Sequence, residues 1–164
     1  MILFNFVSIK AGGGQQNTLS FLENIQSNFL EFKYIVSCTE GTLVHKYCVE
    51  NKIKYFAIKN NIKSRIYYEF FGFWEIRKKY KIRIIFTIFG SAPLISPNTY
   101  KISGCAYSNI FQPEIDIWGY LGWFKKTIKK LVDLFRIFSL LQSDEIILET
   151  PFLQKKAANG LLKN

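Results

Sequence analysis

Residues 2–9, Ile-Leu-Phe-Asn-Phe-Val-Ser-Ile, form a short, largely apolar run that stops at Lys10 and then at Ala11-Gly12-Gly13-Gly14. Such a run is short for a buried helix and is closed by glycines, so it reads as a strand covered on both faces, as in parallel sheets. After the turn, Asn17 and Thr18 are N-cap residue types, and Leu19, Leu22, Ile25 and Phe29 recur at helical spacing. The unit is therefore strand, glycine loop, helix.

The same alternation continues without a sequence repeat. Residues 32–37 read as a second strand, 43–50 as a short helix and 53–58 as a third strand. A helical pattern over 62–80 follows the Asn60-Asn61 break, and 82–89 is the clearest strand, closed by Gly90-Ser91-Ala92-Pro93. A strand over 100–107, an aromatic loop containing Pro113, a long helix within 115–141, a strand over 145–149 and a helix beginning at Pro151 complete the chain. Strands alternating with helices predict βαβ units. The fold class is α/β, a Rossmann-like doubly wound, mainly parallel sheet with helices on both faces, in one domain over residues 1–164.

Charge and cysteine usage narrow the functional classes. There are 22 Lys+Arg against 12 Asp+Glu, a formal charge of +10, on a chain that is 49% hydrophobic and 17% aromatic. That apolar content excludes intrinsic disorder. Cys38, Cys48 and Cys105 form neither an even disulfide framework nor a C-x-x-C pair, so they read as free thiols in a reducing compartment. The apolar N-terminus has no basic flank before it and no small-residue cleavage site after it, which argues against a signal peptide. No stretch of membrane-spanning length escapes charged and polar breaks, so no spanning helix is expected. The positive charge calls for an anionic partner.

Two stretches carry chemistry. Glycines between the first strand and first helix let backbone amides approach a phosphate at the helix N-terminus, although they also serve a tight turn. Gly12-x-Gly14 is an incomplete dinucleotide fingerprint, because Asn17 stands at the third glycine position. Over 115–141, Leu121, Phe124, Ile128, Leu131, Val132, Phe135 and Phe138 share one helical face, and Lys125, Lys126, Lys129, Lys130 and Arg136 gather on the other. A core helix with a solvated basic face satisfies this pattern. So does a helix on an anionic membrane, anchored by Trp118, Tyr120 and Trp123. His45, the sole histidine, supports neither a metal site nor a catalytic triad and reads as a structural or surface residue. Glu40 is placed to contact a ribose if the fingerprint is functional, and Glu114, Asp116, Asp144 and Glu149 lie near strand ends, where they read first as surface carboxylates.

Four blocks in order, NFVSIKAGGGQQNTLSFLE (5–23), IRIIFTIFGSAPLI (82–95), YKISGCAYSNIFQPE (100–114) and SDEIILETPFL (143–153), resemble the amino-terminal domain of bacterial family 4 glycosyltransferases. The resemblance implies half of a GT-B architecture, in which this domain holds mainly the acceptor and a C-terminal domain holds most of the nucleotide-sugar donor. It implies donor phosphate or sugar contacts at Gly12, Gly13, Gly14 and Gln15. It also implies an acceptor-side cleft at Gly90, Ser91, Tyr107, Ser108, Glu149 and Thr150. Many members carry a histidine after the fifth strand; here that segment is Cys105-Ala106-Tyr107-Ser108, so no catalytic residue is assigned. The donor domain, ~150–200 residues, is absent from the 164, and the chain by itself is expected to be inactive.

The expected function is sugar transfer from a nucleotide-sugar co-substrate to a glycan or lipid-linked acceptor in surface polysaccharide synthesis. The setting would be the cytoplasm, at the inner face of the plasma membrane. No tightly bound cofactor, metal or nucleic-acid partner is expected, whereas peripheral membrane contact through Lys125, Lys126, Lys129, Lys130 and Arg136 is, as is a separate C-terminal domain or subunit. The alternative is a non-catalytic Rossmann-like binding module on a membrane surface or a partner subunit. An NAD-linked oxidoreductase is disfavoured by the missing third glycine and the lack of an acid–base histidine.

Overall fold

A computed structural model describes residues 1–29, 31–90, 92–105, 110 and 119–159. The strands are β1 (Ile2–Asn5), β2 (Tyr34–Thr39), β3 (Tyr55–Ile58), β4 (Ile84–Thr87), β5 (Tyr100–Cys105) and β6 (Glu145–Leu148). The helices are α1 (Gly13–Asn28), α2 (Leu43–Glu50), α3 (Ile62–Tyr67), α4 (Phe73–Tyr80), α5 (Trp123–Leu141) and α6 (Pro151–Asn159), with a π-helical segment, Tyr68–Gly72, joining α3 to α4. All strand pairs are parallel, in the order β3-β2-β1-β4-β5-β6. This is the doubly wound α/β fold with Rossmann strand order.

Register explains the two-sided core. Leu3 pairs with Ile35 on one side and Ile85 on the other, and this fully buried row packs with Tyr68, Phe73 and Ile76 from the α3–α4 crossover. The next residue, Phe4, points to the opposite face. It joins Val36, Leu22 of α1 and Val44 and Cys48 of α2, with the Phe86 ring edge-on at 6.0 Å. A third cluster, built on Cys105, Leu140, Leu148, Leu153 and Ala157, closes the β5–β6 side with α5 and α6.

Two expectations are corrected. The first helix starts at Gly13, ahead of the Asn17-Thr18 cap types, because Gly12 adopts φ 70°, ψ −160° and turns the chain at once. Thr18 lies inside the helix, where its hydroxyl donates to Gly14 O at 2.8 Å. The amphipathic helix within 115–141 is not a core helix. Among α5 residues only Ser139 and Leu140 are buried, and the apolar stripe is uncovered. The remaining strands end within a few residues of expectation. The 62–80 helical pattern is interrupted by the π-helical turn, which places Tyr68, Gly72 and Phe73 in the core.

Candidate ligand cleft at the carboxyl edge of the sheet

β1 and β4 are adjacent, but their chains leave for opposite sides of the sheet order, β1 toward β2 and β4 toward β5. Such a switch point opens a crevice at the carboxyl ends of the strands. Here it is a cleft of about 550 Å³ whose walls include Ser8, Lys10, Gly13, Gly14 and Asn17 on the β1–α1 side, with Phe89 and Glu149 opposite. The Ser8 hydroxyl donates to Phe89 O at 2.7 Å and ties the two strand ends together.

The three glycines do different jobs. Gly12 has a backbone conformation that is essentially reserved for glycine. Gly13 has no such need, and a Cβ added there would meet nothing within 4 Å. Neither backbone conformation nor packing in the structure therefore calls for glycine at Gly13. The first N–H groups of a helix lack intrahelical acceptors and carry the positive end of its dipole. At Gly13 and Gly14 those groups belong to residues that line the cleft.

A second hollow of about 260 Å³ shares Ser8 and Lys10 with the first and adds Arg65, Gly90, Phe135 and Arg136. Arg65 pairs with the buried Glu69 at 2.6 Å, Arg136 with Asp133 at 2.8 Å, and Lys10 donates to Asn60 Oδ1 at 2.7 Å. Three cationic side chains therefore border the edge that also carries the α1 N-terminus, an arrangement suited to a phosphate-bearing ligand. Sequence reasoning missed Lys10 and Arg65, which lie far apart in the chain and carry no motif. It assigned Arg136 to a membrane face only.

The expected donor residues divide accordingly. Gly13 and Gly14 line the cleft, Gly12 supplies its turn, and Gln15 is buried with its Oε1 accepting from Leu43 N at 2.8 Å at the start of α2. Of the acceptor set, Glu149 lines the cleft and Gly90 the adjoining hollow. Thr150 caps α6, accepting from Leu153 N at 3.2 Å. Ser91, Tyr107 and Ser108 lie outside the described residues, as do Glu114, Asp116 and Trp118. Glu40 is exposed beyond β2 and is not among the cleft walls. His45 is structural: its Nδ1 accepts from Gly41 N at 3.3 Å and its ring meets Tyr55 edge-on.

Beneath the cleft the strand ends carry a buried polar set. Ser37 donates to Asn5 Oδ1 at 3.1 Å, Tyr68 OH lies 2.7 Å from Ser37 Oγ and 3.1 Å from Asn5 Oδ1, and Asn5 Nδ2 reaches Thr87 Oγ1 at 3.4 Å. Burial pushes the Tyr68 phenol well above its ordinary pKa. The Cys38 thiol is also pushed up, by its hydrogen bond with Cys48 and by burial, which keeps it an inert core group. Among the described residues, no cluster of three or more His, Cys, Asp or Glu is placed to hold a metal ion, and no helix is long and apolar enough to cross a membrane. Compared with family models, curated proteins and solved structures, the chain matches none.

Proposed function

We propose that this domain is the acceptor-side half of a GT-B glycosyltransferase, and that its carboxyl-edge cleft meets the diphosphate of a nucleotide-sugar donor held mostly by a second domain. The observation that carries the reading is Gly13, a helix-start glycine that the backbone does not require, on the wall of a switch-point cleft. In transfer, an acceptor hydroxyl forms a bond to the anomeric carbon, the bond from that carbon to the diphosphate oxygen breaks, and the hydroxyl proton passes to the departing diphosphate or to water. Negative charge grows on the departing diphosphate, where the α1 N-terminus and the nearby Lys10, Arg65 and Arg136 would stabilise it.

Gly13→Asp tests this directly. A carboxylate in the first turn of α1 favours the helix by about 0.3–1 kcal/mol, so thermal stability should hold or rise. The same charge should repel a diphosphate. Amide NMR titration of the native protein with nucleotide sugars is expected to shift signals from residues 8–14, Gly90 and Glu149, and the variant should lose these shifts. Shifts located elsewhere, or equal shifts in the variant, would reject the diphosphate site. Robust turnover of a nucleotide sugar by purified 1–164 would reject the half-enzyme assignment.

A further inference from the structure

The apolar stripe of α5 is exposed, and only Phe135 of it also borders the hollow shared with Lys10 and Arg65. Phe124, Ile128, Leu131, Phe135 and Phe138 recur at alternating spacings of four and three, which places them along one side of the helix. Phe124 is 63% exposed, Leu131 60% and Phe138 58%. The side turned toward the body carries Asp133, Arg136, Ile137 and Leu140. A soluble amphipathic helix normally sets its apolar side inward, so this orientation calls for an occupant.

The charges select among occupants. α5 holds Lys125, Lys126, Lys129, Lys130 and Arg136 against Asp133. Pairing this face with a second copy would bring two basic helices together at a spacing of about one Debye length or less, where their repulsion is poorly screened. An anionic lipid surface instead attracts the lysines while its acyl boundary takes the stripe. Trp123 and Tyr120, 80% and 78% exposed at the start of the helix, are the residue types that settle at the headgroup level. Ile62 and Ile66 of α3 are also exposed, and Arg65 of that helix borders the same hollow as Val132 and Phe135 of α5.

We infer that α5 is an in-plane docking helix for an anionic bilayer, with Phe124, Ile128, Leu131, Phe135 and Phe138 entering the acyl boundary and Lys125 and Lys130, on the two flanks of the stripe, meeting lipid phosphates. This does not depend on the sugar-transfer reading. Docking along α5 would bring the hollow bordered by Phe135 and Arg136, and with it the cleft mouth, close to the lipid headgroups.

Vesicle flotation of the whole chain tests the inference, using phosphatidylcholine with and without phosphatidylglycerol. The native protein should float with the anionic vesicles at least about tenfold better than with the neutral ones. Phe124→Glu/Leu131→Glu alters only exposed positions, so circular dichroism should be unchanged while flotation falls about tenfold or more. Lys125→Glu/Lys130→Glu should lose the preference for anionic lipid. Failure of the native chain to float, equal flotation of either folded variant, or a native dimer in sedimentation that Leu131→Glu dissociates would each overturn the proposal; the last would assign the face to a second copy.

Discussion

The phenol of Tyr68 is fully buried within hydrogen-bond reach of Ser37 and Asn5, and burial is the main cause raising its pKa. The folded state therefore keeps it protonated where an unfolded chain would let it ionise. Its stabilising contribution is complete below the ordinary phenol value of about 10 and is lost as pH rises through the higher folded value. Tyr68→Phe should cost about 1–3 kcal/mol at neutral pH, because it strips partners from buried Ser37 and Asn5. It should also flatten the alkaline fall in stability. Denaturant midpoints for both proteins, at neutral pH and above pH 10, check both statements; parallel curves would contradict the second. Glycine positions separate equally sharply. A Cβ on Gly104 would lie 2.0 Å from Ile88 O, so Gly104→Ala must push β5 off β4 and should destabilise by at least about 2 kcal/mol, measured as the shift in denaturant midpoint. No pattern in the sequence distinguishes Gly104 from Gly13, because close approach of two backbones depends on which strands become neighbours.

At the level of elements, periodicity located nearly every strand and helix, and failed where the deciding quantity was not periodic. Asn17 and Thr18 have side chains suited to capping, yet α1 begins at Gly13 because a single backbone conformation at Gly12 starts the amide ladder earlier. The stripe on α5 was legible residue by residue, but its direction was not. Spacing defines a face without saying which side meets the sheet. The family resemblance implies Gln15 at the ligand. It is turned inward, where it gives Leu43 N, at the first turn of α2, an acceptor at 2.8 Å. Thr42 satisfies His45 N in the same turn, so two side chains divide the capping of α2. Gln15→Ala should therefore lower stability by about 1 kcal/mol. A cleft role alone would leave thermal unfolding unmoved, so an unchanged melting temperature would return Gln15 to the ligand.

For the whole molecule, the doubly wound parallel sheet followed from alternating elements, whereas the strand order that places the cleft and the gathering of Lys10, Arg65 and Arg136 at its edge did not, because both depend on which distant elements become neighbours. Stability should follow the same division. β1 lies between β2 and β4 and belongs to both large cores, so opening it exposes both at once. α5 has two buried residues in nineteen, at its C-terminal end, and most of its hydrogen bonds run beside open solvent. Local opening free energy scales with the apolar surface such an opening must expose. Native-state hydrogen exchange should therefore find the amides of Leu3–Phe6 and Ile35–Thr39 protected up to the global unfolding energy. Those of α5 before Asp133 should exchange fastest among the helices. Adding anionic vesicles should slow α5 alone. Uniform protection across α5 and β1 without lipid would mean that its outward stripe is already covered in solution, and would count against both the exposed face and its lipid partner.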